Sequence, residues 1–147
     1  MSTAFHSDHH ARLNRLAGFW DTEITTLDAE GREQGTSRAT DEYVWLPNGH
    51  FLVHNVDVQM DGERVQSTEI FGVNADAGNF YSRSYDADGS TNDFTAQIDG
   101  PHLTIEGQQQ RFAGHFSDNG QTLQGEWKQR SNGGWAPFVS ITLRKRV

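Results

Sequence analysis

Hydrophobic and polar residues alternate with a period of two over most of the chain, from Trp20 to Leu143. Runs such as Trp20-Asp-Thr-Glu-Ile, Leu52-Val-His-Asn-Val-Asp-Val and His102-Leu-Thr-Ile-Glu put one apolar set on one face, as half-buried strands do. The exception is the stretch before Gly18. There Leu13, Leu16 and Ala17 form a narrow apolar stripe of helical spacing, and Ser7 or Asp8 can cap its start. Gly18 is a terminator, after which Trp20, Thr22, Ile24 and Thr26 share one strand face.

Turn residues punctuate the rest: Asp28 to Gly31, Asn48-Gly49, Asp61-Gly62, Asp76-Ala77-Gly78, Asp88-Gly89, Asp99-Gly100, Asn119-Gly120 and Asn132-Gly133-Gly134, with a weaker break near Gly107. They separate about ten short strands. The pattern predicts an all-β fold: one antiparallel up-and-down β-barrel domain over residues 1–147, its end closed by the short N-terminal helix.

Hairpin loops also fix which residues face each other. A two-residue loop at Asp61-Gly62 sets His54 opposite Glu69 and Leu52 opposite Phe71. Asn48-Gly49 sets Trp45 against Leu52 and Tyr43 against His54. A three-residue loop at Asp76 to Gly78 would set Phe71 against Arg83 and Glu69 against Tyr85, and Asp88-Gly89 would then pair Arg83 with Phe94 and Tyr85 with Asn92. Asp99-Gly100 would pair Phe94 with Ile105 and Ala96 with Leu103. Asn119-Gly120 pairs Phe112 with Trp127, and a three-residue loop at Asn132 to Gly134 brings Val139, Ile141 and Leu143 inward. One interior level then holds Trp45, Phe71, Arg83, Phe94 and Trp127, and the next holds Tyr43, His54, Glu69, Tyr85 and Asn92.

An aromatic floor beside polar groups is how a pocket for a small amphipathic molecule is lined. The leading expectation is a barrel that binds a small, largely apolar or aromatic ligand. Tyr43, His54, Glu69, Arg83, Tyr85 and Asn92 would make polar contacts, and Trp45, Phe71, Phe94 and Trp127 the walls. The alternative is a cofactor-free isomerase, cyclase or hydrolase using His54 and Glu69 as an acid–base pair, since a carboxylate can fix and raise an imidazole. A third reading is a packed module whose rim meets a protein partner, and a homodimer is left open.

Net charge is −8, which disfavours a nucleic-acid backbone or an anionic membrane as partner. Without cysteine there is no thiolate chemistry. His6, His9 and His10 read as an exposed N-terminal turn rather than a metal site, and Asp86-Ala-Asp88-Gly-Ser90 as a hairpin rather than a calcium loop. No metal or cofactor is expected. The start of the chain lacks the basic and apolar regions of a signal peptide, so a cytoplasmic protein is expected.

Gly18-Phe-Trp20 after a short helix, with the basic ending Arg144-Lys-Arg146, resembles the calycins, in which a late arginine packs over the first-strand tryptophan; Arg144 is the matching position. Tyr43-Val-Trp-Leu-Pro-Asn-Gly-His-Phe-Leu-Val53, Thr68-Glu-Ile-Phe-Gly72, Arg111-Phe-Ala-Gly-His-Phe-Ser-Asp118, Leu123-Gln-Gly-Glu-Trp127 and Gly134-Trp-Ala-Pro-Phe138 together resemble bacterial lipocalin-like proteins classed as a domain of unknown function. That resemblance implies the barrel and no particular chemistry. Nitrobindin-type haem barrels are a more distant comparison, because the last histidine here, His115, faces outward in this register.

Overall fold

The computed structural model describes residues 5–60 and 62–146. Helix α1 (Asp8–Leu13) is capped by Ser7, whose hydroxyl accepts the His10 amide, and runs into one 3-10 turn at Asn14–Leu16. Ten strands follow: β1 (Gly18–Leu27), β2 (Glu33–Trp45), β3 (Leu52–Met60), β4 (Glu63–Asn74), β5 (Asn79–Tyr85), β6 (Thr91–Asp99), β7 (His102–Glu106), β8 (Gln110–Phe116), β9 (Thr122–Ser131) and β10 (Gly134–Lys145). Each pairs antiparallel with its neighbours, and β10 closes on β1. The expected up-and-down barrel is formed, and closure gives every strand a neighbour on both sides. Among the described residues, no helix is long and apolar enough to cross a membrane.

The helix plugs one end. Leu13 and Leu16 are buried beside Trp20, which has no exposed surface and donates its indole N–H to the Leu16 carbonyl at 2.8 Å. Arg12 ties the plug to the barrel by donating to the carbonyls of Ile98 (2.6 Å) and Gly78 (3.1 Å), with its guanidinium over the Phe80 ring. The cation over Trp20 is Lys145, its Nζ 4.8 Å from the ring centroid, and not Arg144. Alternation explains the correction: Leu143 points inward, so Arg144 is exposed across from Asp21, and Lys145 turns back over the plug.

Several registers match the sequence reading. His54 lies opposite Glu69, Tyr43 opposite His54, Trp45 opposite Leu52, and Phe112 opposite Trp127. Asp61 of the β3–β4 turn falls outside the described residues.

The β4–β5 turn differs. It contains four residues, Ala75 to Gly78, closed by the Gly78 amide on the Asn74 carbonyl at 2.9 Å, so Phe71 faces Ser82 and Glu69 faces Ser84. A one-residue slip turns a whole strand over. Phe80, Ser82 and Ser84 therefore face inward, while Arg83 and Tyr85 lie on the outer wall. The β5–β6 turn slips again, with Asp86 to Ser90 between paired Tyr85 and Thr91. The second slip cancels the first, and Asn92 and Phe94 return to the expected face. The β6–β7 turn is Gly100-Pro101, which pairs Ala96 with Ile105 and Ile98 with Leu103 and preserves faces.

At the last hairpin the loop has two residues, not three. Asn132 (φ 49°) and Gly133 (φ 80°) make the tight turn, which calls for two left-handed residues. A bulge between Pro137 and Val139 then restores the inward set Val139, Ile141 and Leu143. Upstream of that bulge Trp135 is neither core nor pocket wall. It lies on the outer surface between the guanidiniums of Arg111 and Arg130, each 4.4 Å from its ring.

Candidate functional site

Beyond the plug the barrel interior stays open as a cavity of about 350 Å³. Its apolar wall includes Ile24, Val56, Phe94, Phe112, Trp127 and Ile141, and its outer reach is bordered by Met60, Asp86 and Phe138. Gly114 and Gly125 face each other across β8 and β9. A Cβ at either would come within 2.6 Å of the Phe112 ring, so these glycines admit that ring flat against the wall.

At the base of the cavity a polar belt crosses five consecutive strands. Thr22 of β1 donates its hydroxyl to Asp41 of β2. Asp41 Oδ1 lies 2.6 Å from His54 Nε2 on β3, and His54 Nδ1 lies 3.0 Å from Glu69 Oε1 on β4. Ser82 of β5 donates to Glu69 Oε2 at 2.8 Å. Tyr43 stacks on His54 with centroids 3.9 Å apart and planes 9° from parallel. Tertiary closure, rather than any local motif, builds the belt, since each strand contributes one inward residue at about the same height.

The electrostatics follow. Burial lowers the pKa of His54, but hydrogen bonds and charge from Asp41 and Glu69 outweigh it and raise the value to about 9. Geometry says the same, because both ring nitrogens meet carboxylate oxygens and both must donate. His54 is therefore an imidazolium at neutral pH, with no lone pair free to take a proton. Burial, with the charges of Asp41 and Glu69, pushes the Tyr43 phenol well above its ordinary value, so it stays protonated. Among the described residues its hydroxyl has no protein hydrogen-bond partner.

The sequence-derived set divides. Tyr43, His54, Glu69, Asn92, Phe94 and Trp127 line the cavity. Phe71 is buried in the core beneath it, and Trp45 belongs to the plug, where its indole N–H donates to Asn14 Oδ1 at 2.8 Å. Arg83 points away from the interior and holds Asp93 on the outer wall, Nε to Oδ1 2.8 Å, while Tyr85 is exposed beside it. Neither reaches the cavity. Asp41, Thr22 and Ser82 were missed. Asp41 had a signal, since it shares the inward face of β2 with Tyr43; Ser82 was hidden by the slipped turn. Elsewhere, His6 stacks on His50 at 3.8 Å, His10 bonds Ser7, Asp86 to Ser90 forms a hairpin turn, and His115 is exposed on the outer wall.

The model of one family, described as a protein of unknown function (DUF1579), matches residues 6–145. The chain belongs to this family. No curated protein sequence matches this DUF1579 member. Among solved structures it is similar to the zebrafish ileal bile acid-binding protein in complex with cholic acid, at 16% identity and a TM-score of 0.51, covering 90% of this chain and 99% of that one. It is also similar to the S-type phycobiliprotein lyase of Guillardia theta, at 8% identity and a TM-score of 0.57, covering 99% of each chain. At such identities the likeness is one of fold.

Proposed function

We propose that this DUF1579 barrel binds a small, largely apolar or aromatic molecule in its interior, anchored at the base by Tyr43, Asp41 and Glu69. The observation that carries the reading is the cavity itself: about 350 Å³ of unfilled space, apolar walls, and polar groups gathered at one place. A packed interior would have served a purely structural module better, because unfilled space forfeits contacts. The similar barrels point the same way, one being a bile acid-binding protein with cholic acid and the other a phycobiliprotein lyase.

The acid–base alternative is less well supported. A general base needs a free lone pair near the operating pH, and the two carboxylates deny His54 one. Its role is to hold Asp41 and Glu69 together in the interior.

The test uses N-phenyl-1-naphthylamine, a neutral dye whose emission rises in apolar surroundings. Saturable binding with energy transfer from Trp127 is expected, and Ser67→Trp, which fills the cavity from β4, should abolish it. No saturable signal, or one that survives Ser67→Trp in a folded protein, overturns the reading.

A further inference from the structure

The polar belt specifies the charge of the ligand as well as its place. This inference rests on the cavity reading above and adds a chemical class. Around the two carboxylates the donors are already used. His54 gives both ring N–H groups, Thr22 gives its hydroxyl to Asp41, and Ser82 gives its own to Glu69. Each carboxylate oxygen thus accepts one protein hydrogen bond, and an ionised oxygen can accept about two. Apart from the Tyr43 hydroxyl, the base of the cavity offers unused acceptors rather than donors.

The mouth repeats the arrangement. Asp86 accepts from Asn92 at 2.7 Å and from Ser84 at 3.3 Å, so the Ser84 hydroxyl and one N–H of Asn92 are already engaged. Three carboxylates therefore border the space against one imidazolium. Among the described residues no lysine or arginine lines it. The walls add to this field, since the faces of Phe94, Phe112 and Trp127 carry the negative side of the ring quadrupole and attract cations. A ligand carboxylate or sulfate would meet like charge with few donors, in a place where water screens poorly. An ammonium would meet vacant acceptors and ring faces.

We propose that the ligand of this barrel is a lipophilic amine, its apolar body against Phe94, Phe112 and Trp127 and its N–H groups donated to Asp41 and Glu69, and that the cavity rejects the fatty-acid-like anions of the same size.

Two matched pairs test it at pH 7 and physiological salt. N-phenyl-1-naphthylamine is compared with its 8-sulfonate, which differs by one anionic group. Decylamine is then compared with decanoate as a competitor for the bound neutral dye. The neutral dye and the amine should each bind at least about tenfold more tightly than the anionic partner, a difference of ~1.4 kcal/mol. In Asp41→Asn/Glu69→Gln that ratio should fall below about threefold. It should persist in Asp76→Asn/Asp118→Asn, which removes the same charge from exposed turns at the plugged end. Decanoate or the sulfonate binding as well as its partner overturns the amine assignment and leaves the cavity reading standing. Failure of every probe to bind overturns both. Should the double interior variant fail to fold, the two ratios on the unaltered protein still decide.

Discussion

His54 Nε2 lies 2.6 Å from Asp41 Oδ1, and its other ring nitrogen lies 3.0 Å from Glu69. An imidazolium held between two carboxylates is bound more tightly in its charged form when folded, so its pKa rises from 6.5 to about 9. The sign follows from linkage. The folded state holds the proton more strongly, so the stabilisation is complete below pH 6.5 and is lost as pH rises through 9. At ~1.4 kcal/mol per pKa unit, the loss across that window is on the order of 3 kcal/mol. Urea titrations from pH 6 to 10 should show this decline. His54→Gln should flatten it, because the substitution removes the group whose proton affinity changes on folding.

Trp20→Ala is expected to cost about 3–5 kcal/mol, the range for removing a fully buried large aromatic. The residue joins the plug to the barrel through Leu16, Asp41's strand and Lys145. Trp20→Phe keeps most of the packing and loses the bond to the Leu16 carbonyl, so about 1–2 kcal/mol should separate it from the native protein. Denaturation of both variants checks the order, and a loss under about 1 kcal/mol for Trp20→Ala would mean the barrel is not built around the plug.

How far the sequence could be read depended on its turns. Where the loop length is set by a dipeptide of restricted geometry, as at Asn48-Gly49 or Asn119-Gly120, the pairing is legible and Tyr43, His54 and Phe112 fall where alternation puts them. At Ala75 to Gly78 the same residue types permit three or four loop residues, and only packing decides. Phe80 and Arg83 could not both face inward, and burying Phe80 wins over burying an arginine without a partner. The bulge at Pro137 was illegible for a similar reason, since it corrects a register that the two-residue turn would otherwise invert. The belt lay furthest from view. It joins residues from five strands, and no pair beyond His54 and Glu69 shows as a unit along the chain.

Arg83 offers a direct check on that slipped turn. Its guanidinium and the Asp93 carboxylate are both mostly in solvent, where an ion pair adds little to stability. Arg83→Ala should therefore unfold at nearly the same urea concentration as the native protein and bind N-phenyl-1-naphthylamine with unchanged affinity. An arginine inside the cavity would behave otherwise, altering binding of both the neutral dye and its sulfonate.

Gly125→Ala tests the shape of the cavity wall. A methyl group at that position would sit 2.3 Å from the Phe112 ring and 2.6 Å from the Ala113 carbonyl oxygen. The ring can move only into the cavity, and the carbonyl belongs to a paired strand that cannot retreat alone. Overpacking of this kind costs about 1–3 kcal/mol. The displaced ring also takes up ligand space, so dye affinity should fall along with stability. Gly120→Ala supplies the contrast: it lies in an exposed turn at the plugged end with φ 72° and open space around its Cβ. There the penalty is backbone strain alone, about 1 kcal/mol or slightly more, and dye affinity should be untouched. Equal losses of affinity in the two variants would show that the wall at Phe112 does not shape the binding space, whereas a loss confined to Gly125→Ala ties the cavity to the ring that these glycines accommodate.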